Sequence, residues 1–119
     1  MYKVAIVGSR RFNNYELMKR TLDSHRDKIA MIISGGAKGA DTLAQRYAKE
    51  NGLPILIYYP DWKIYGKRAG FRRNVVVANV AEYMIAFAYN DSRGTRHVVK
   101  QMEKLGKPVT VIELGDKNV

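Results

Sequence analysis

The stretch "ISGGAKGAD", residues 33–41, decides how this chain is read. It closes an apolar run and opens an amphipathic segment, with three glycines and two alanines between the two. A glycine-rich turn entering a helix offers unpaired backbone N–H groups and the positive end of the helix dipole. In that reading Gly35 and Gly36 let the backbone approach an anion, and Gly39 gives a sharp entry into the helix. Lys38 adds charge, and Asp41 caps the helix or holds a ribose hydroxyl. The same small residues also suit a tight corner where helix packs on sheet. The spacing does not choose between the two. No Gly-Lys-Ser/Thr ends the loop, and G-G-x-x-G is not the dinucleotide fingerprint.

Working outward, the run before the loop is one of five of its kind: Val4–Val7, Ile29–Ile33, Ile55–Tyr59, Tyr83–Ala88 and Val109–Ile112. They are continuous rather than alternating, which predicts strands buried on both faces. Between them, apolar residues recur at i, i+1 and i+4. Leu17, Met18, Thr21 and Leu22 form one such stripe. Leu43, Ala44, Tyr47 and Ala48 form a second, and Val98, Val99, Met102 and Leu105 a third. Gly52 and Gly106 follow the last periodic residues of two helices, with Pro54 and Pro108 just beyond, a helix-stop pattern. Alternating strand and helix predicts an α/β, three-layer fold with a five-stranded, mostly parallel sheet and right-handed crossovers. The connection from Pro60 to about Gly70 reads as the longest irregular segment.

The chain has 119 residues, 46% of them apolar, so one domain over 1–119 with a real core is expected. It has no cysteine, which removes disulfides, thiolate nucleophiles and thiolate-held metals and fits a cytoplasmic protein. No apolar stretch approaches the ~20 residues that cross a membrane, and no signal-peptide core precedes the first strand. Twenty-one Lys and Arg against eleven Asp and Glu leave +10, with a pI near 9.9. That balance favours an anionic partner, though it also suits a generally basic surface. It is uneven: Lys63, Lys67, Arg68, Arg72 and Arg73 fall between Asp61 and Glu82 with no acid among them.

In an open α/β sheet, ligands bind beyond the carboxyl ends of the strands. Four segments leave those ends: "GSRRF" (8–12), "SGGAKGAD" (34–41), "PDWKIYGKRAG" (60–70) and "NDSRGT" (90–95). The last repeats the logic of the opening loop. Arg93 and Gly94 offer charge and bare backbone, and Thr95 reads as an N-cap or a phosphate hydroxyl. Gly8, Ser9 and Arg10 would face both. Two such turns could grip one anion from opposite sides.

Taken together, "AIVGSR", "SGGAKGADTLAQRYA", "DW…GKRAGFRRN" and "RGT" resemble the YspA-type, YpsA-related branch of the SLOG superfamily, in order through nearly the whole chain. The resemblance implies a Rossmann-like five-stranded sheet and a site for a nucleotide or nucleotide-derived ligand. Several members of that superfamily sense nucleotide signals in bacterial or phage conflict. By position, the implied contacts are Gly8, Ser9 and Arg10; Ser34, Gly35, Gly36, Gly39, Ala40 and Asp41; Trp62; Arg73 and Asn74; and Gly94 and Thr95. Two cousins bear on function. LONELY GUY enzymes hydrolyse nucleoside monophosphates with P-G-G-x-G-T and a glutamate close behind; this chain has Arg96 and His97 after Thr95, and its next acid in that helix is Glu103. Hydrolysis would then fall to Asp41, Asp61 or Asp91. DNA-processing A proteins bind single-stranded DNA, and their first two motifs are similar to "AIVGSR" and "SGGAKGAD".

The remaining residues leave alternatives open. Arg72 and Arg73 read as the first turn of a helix, held there by a phosphate or by a salt bridge to Asp61 or Glu82. Asn74 would bond a base or a loop carbonyl. Trp62, Tyr65 and Phe71 could stack on bases or pin the loop. His97 lies near Thr95; neither it nor His25 has a neighbour at metal-ligand spacing. The expectation is a binding protein rather than an enzyme, with no cofactor and no metal. Its partner would be a nucleotide-derived small molecule, with nucleic acid as the alternative, and it would form a homo-oligomer away from membranes.

Overall fold

The structure, a computed structural model, describes residues 1–116. Its elements alternate along the chain: β1 (Tyr2–Gly8), α1 (Tyr15–Ser24), β2 (Ile29–Ser34), α2 (Ala40–Glu50), β3 (Ile55–Ile57), α3 (Trp62–Tyr65), α4 (Ala69–Val80), β4 (Tyr83–Tyr89), α5 (Arg93–Lys104) and β5 (Val109–Gly115). The five strands form one sheet in the order β3-β2-β1-β4-β5, and each pairing is parallel. This is the parallel α/β architecture that the strand–helix alternation predicts and the Rossmann-like sheet that the family resemblance implies.

Strand order follows from the two directions in which the chain winds. From β1 it steps outward to β2 and β3; it then returns past β1 and places β4 on the other side, with Gly8 opposite Phe87. The reversal puts the helices on both faces. Val4, Ile6, Ile32, Ile85 and Phe87 pack with Met18, Leu22, Ala44 and Tyr47 of α1 and α2 on one face. Ala5, Val7, Ile33, Met84 and Ala86 pack with Val77, Ala78, Val98, Val99 and Met102 of α4 and α5 on the other. Alternate residues of β1 therefore feed different cores, which is why the strand is apolar at successive positions. Truncating a fully buried residue such as Ile6 to Ala would cost roughly 2–5 kcal/mol.

Local signals set the boundaries. Asn14 caps α1 by accepting from the Leu17 N–H at 3.0 Å. At the other end of α2, Gly52 has φ +61, and the N–H groups of Gly52 and Leu53 return to the carbonyls of Lys49 and Ala48. Gly106 and Lys107 close α5 in the same way.

Two expectations need correction. Double burial holds for the central strands, but β3 and β5 are only half-buried, because each lies at a sheet edge. Residues 60–70 are not an irregular loop. Asp61 caps α3 by accepting from the Ile64 N–H at 3.1 Å, a 3-10 turn spans Gly66–Arg68, and α4 begins at Ala69. Arg72 and Arg73 thus occupy the second turn of α4, one turn later than the sequence suggests.

Candidate nucleotide-binding cleft

A cleft of about 390 Å³ opens beyond the carboxyl ends of β1 and β4, where the winding direction reverses. Loop 8–11, the start of α2 and the first turn of α5 form its sides, and the arm made by α3 and the start of α4 closes it above. Val7, Val77 and Val98 give it an apolar floor.

Of the residues singled out from sequence, Gly8, Ser9, Arg10, Gly35, Asp41, Trp62, Arg73, Asn74, Arg93, Gly94 and Thr95 line this cleft. Ser34, Gly36, Lys38, Gly39 and Ala40 lie outside its lining. The distinction has a physical origin. A Cβ at Gly36, where φ is +71, would lie 2.5 Å from the Tyr59 ring; one at Gly39, where φ is +74, would lie 2.4 Å from the Ser9 carbonyl oxygen. A Cβ at Gly8 would meet the Phe87 carbonyl at 2.6 Å and the Ala40 side chain at 2.7 Å. These glycines let chain segments pack on one another. Close packing within the chain requires a glycine at each of these positions, and of the three only Gly8 also lines the cleft.

Several backbone donors of the 34–41 loop are engaged within the chain. Gly36 N–H donates to Ser34 Oγ at 3.2 Å, Ala37 N–H to the Asp41 carboxylate at 2.9 Å, and Ala40 N–H to the Ser9 carbonyl at 3.2 Å. The Gly35 N–H adds to the hydrogen bonding of Asp41. Asp41 therefore does not cap α2 in the usual sense. It lies in the helix's first turn and reaches back to hold the loop. Burial pushes its carboxyl up to about 6, an effect opposed by those N–H groups and by the Arg73 and Arg10 guanidiniums.

The α5 side is different. The N-cap is Ser92, not Thr95, and its hydroxyl turns away to accept from the Tyr89 N–H at 3.0 Å. No side chain caps the helix among the described residues, which leaves the first-turn N–H groups of Gly94 and Thr95 uncapped. Thr95 is the third residue of α5, 7% exposed, and lines the cleft. Ser9 presents its hydroxyl beside it while accepting from the Arg11 N–H at 3.1 Å.

Arg73 and Asn74 join the walls. Arg73 donates through Nη1 to the Gly35 carbonyl and through Nε to Asn74 Oδ1 at 2.9 Å. Asn74 Nδ2 donates to the Gly94 carbonyl and to His97 Nδ1, each at 3.2 Å. Asn74 thus bonds a carbonyl at the α5 start, the second of the alternatives left open. The His97 ring packs on Phe71 at 4.4 Å, and burial lowers its pKa, which keeps it neutral and able to accept. Neither arginine pairs with Asp61 or Glu82: Arg72 lies over the Tyr65 ring at 4.3 Å, and Glu82 accepts from the Lys3 N–H.

Sequence reasoning gave Ala37, Gly70, Val77, Ser92 and Val98 no role at the site. It raised Arg11, Lys67, Phe71 and Asp91 only as, respectively, a neighbour, part of a basic stretch, a stacking candidate and a loop carboxylate; all nine line the cleft. Arg11 pairs with Asp91 at 2.5 Å across the mouth and approaches the Tyr89 ring. The second arginine of "SRR" was the available signal. Of the three loop carboxylates, Asp41 and Asp91 reach the cleft, while Asp61 is used as the α3 cap. Among the described residues no cluster of His, Cys, Asp or Glu could hold a metal, and no helix is long and apolar enough to cross a membrane.

Fold and cleft together define a Rossmann-like domain with a polar site at its topological switch point. A family model for the YspA, cpYpsA-related SLOG family matches residues 2–65, and the chain belongs to that family. It is 34% identical over 126 residues to the Gene 61 protein of Mycobacterium phage D29, covering 98% of this chain and 99% of that one. Among solved structures it is similar to DNA processing protein A from Streptococcus pneumoniae, with a TM-score of 0.74 and 23% identity. It is also similar to DNA processing protein A from Helicobacter pylori, with a TM-score of 0.68 and 27% identity, in a structure described by its single-stranded DNA binding mode. Each match covers 92% of this chain but only 49% and 64% of those chains, so this chain spans about half to two thirds of their length.

Proposed function

We propose that the cleft captures a phosphate-bearing nucleotide or a nucleotide-derived signal molecule, for sensing or sequestration. One observation carries the reading. Six polar side chains are buried among the described residues, and five of them, Ser9, Asp41, Asn74, Ser92 and Thr95, line this one cleft. Ser9, Asp41, Asn74 and Ser92 are already hydrogen-bonded within the chain, so what supports a polar ligand is their gathering, with Thr95, in one concave site edged by arginines.

The phosphate sits at the start of α5, where the Gly94 and Thr95 N–H groups and the Thr95 hydroxyl converge with the helix dipole. Arg10 and Arg93 at the rim, with Lys67 from the arm, neutralise its charge. Asp41, which lines the same cleft, accepts from a ribose hydroxyl. Trp62 and Phe71, about half exposed at the cleft edge, offer ring faces to a base. The missing glutamate behind Thr95 supports capture over glycosidic cleavage. The phage relative and the family support a role in phage–host conflict.

Calorimetry with nucleoside mono- and diphosphates, guided by mass spectrometry of small molecules released from the denatured protein, tests this. Thr95→Val keeps the side-chain volume and removes the hydroxyl. It should leave the fold intact and weaken binding about tenfold or more. Unchanged affinity would remove the phosphate from α5.

Single-stranded DNA is the second reading, favoured by the Helicobacter pylori neighbour and by the exposed Lys63, Lys67 and Arg68. It predicts affinity that falls steeply with salt and ignores base identity. Selective, salt-resistant binding of one small nucleotide would overturn it.

A further inference from the structure

Eleven large hydrophobic side chains are exposed among the described residues, and eight of them lie between Leu56 and Val76. The cause is architectural. α4 packs over β1 and β2 but leaves the same face of the edge strand β3 uncovered. Leu56, paired with the core residue Ile33, therefore faces outward on the α4 side. Beside it runs a groove of about 340 Å³ between Tyr59-Pro60 and α4, with Tyr65, Ala69, Val75 and Val76 among its walls. Tyr59 is 67% exposed and Ile64, on the neighbouring α3, 70%.

Arg72 lines this groove, Lys63 and Arg68 are exposed on the turns beside it, and Lys67 between them borders the nucleotide cleft; none of the four forms an ion pair among the described residues. The one acid nearby, Asp61, is used as the α3 cap. A face that is apolar at its centre and cationic at its rim fits an occupant of opposite rim charge and matching apolar anchors. A second copy fits poorly, because two-fold pairing would set these four cations against their own images. Nucleic acid fits less well than protein here: of the groove's two rings Tyr65 is already covered by Arg72, Tyr59 alone is open to stack on a base, and the rest of the apolar surface, Leu56, Ile64, Val75 and Val76, is aliphatic.

We propose that this groove, which shares only Arg73 with the lining of the nucleotide cleft, docks an acidic protein segment that inserts aliphatic or aromatic side chains between Tyr59 and α4. The amphipathic helix-in-groove arrangement is the recognition mode it suits.

The test is fluorescence anisotropy on the full chain with labelled peptides of roughly 16 residues, Glu-rich, carrying Leu and Phe at i, i+3, i+4 and i+7. A permuted peptide of identical composition without that spacing is the control. Val75→Ser with Val76→Ser removes exposed apolar surface while thermal unfolding checks the fold. Saturable binding of the patterned peptide, weakened about tenfold or more by permutation or by the double substitution, is the expected result. Equal binding of both peptides, or none of either, overturns the proposal. So does a concentration-dependent dimer in sedimentation that the double substitution abolishes, since the occupant is then a second copy. An oligo(dT) strand whose binding is lost in the same variant overturns it in favour of nucleic acid.

Discussion

The guanidinium of Arg73 occupies the space that a side chain at Gly35 would fill: a Cβ there would lie 2.8 Å from Nη1. Arg73 reaches from α4 across the cleft to the carbonyl of this loop residue, so the absence of a side chain at 35 and the arginine at 73 are one structural feature. Gly35→Ala should displace the guanidinium and lose a charge-assisted hydrogen bond, at roughly 1.5–3 kcal/mol. In an Arg73→Ala background the same substitution should cost much less. A double-mutant cycle by urea unfolding reads the coupling, and simple additivity would refute it.

The glycines of the two helix starts should behave oppositely. Gly39→Ala forces a Cβ to within 2.5 Å of the Ser9 and Arg10 backbone at positive φ, where no flexible side chain can yield. It should destabilise by about 3 kcal/mol or more. A Cβ at Gly94 meets nothing within 4 Å, and residue 94 lies in the first turn of a helix. Gly94→Ala should hold or raise stability by up to about 1 kcal/mol, while weakening nucleotide binding. Parallel denaturation and calorimetry check both halves.

Asp41 gives stability a pH dependence of unusual sign for a carboxylate. Burial raises it from 3.8 to about 6 in the folded protein, so between those values the native state binds more protons than the unfolded chain. Its contribution to stability is therefore full below about 4 and falls as pH rises toward and through 6, by an amount on the order of 3 kcal/mol. Asp41→Asn should remove that slope. Urea midpoints for both proteins from pH 4.5 to 7.5 give the comparison; parallel curves would show that Asp41 does not titrate in this range.

Arg11 and Asp91 form an ion pair across the cleft mouth with both side chains well exposed. Such a pair contributes little to stability, about 0–1 kcal/mol. It does neutralise a rim cation that a phosphate would otherwise meet. Asp91→Asn should leave the melting temperature nearly unchanged and raise affinity for anionic nucleotides a few-fold at low salt, with the gain fading as salt is added. Weaker binding in this variant would give Asp91 a direct role in holding the ligand.

Periodicity and punctuation by themselves determined the architecture. Continuous apolar runs, i and i+4 stripes and the Gly52 and Gly106 stops are local patterns, and secondary structure at this level is a local property. They also placed four loops at one edge of the sheet, since parallel strands bring their carboxyl ends together. The tertiary structure alone decided what those loops do. The glycines of 33–41 read as a cradle because a glycine turn before a helix offers free N–H groups. Only the packed fold shows those groups donating to Ser34, Asp41 and Ser9, and the missing side chains making room for Tyr59, Arg73 and the Ser9–Arg10 backbone. Likewise Arg11 gained its place from a contact with Asp91, 80 positions further along the chain, which no window of sequence contains. A loop's composition states which conformations its backbone can adopt; whether its donors are free depends on what the rest of the chain puts beside them.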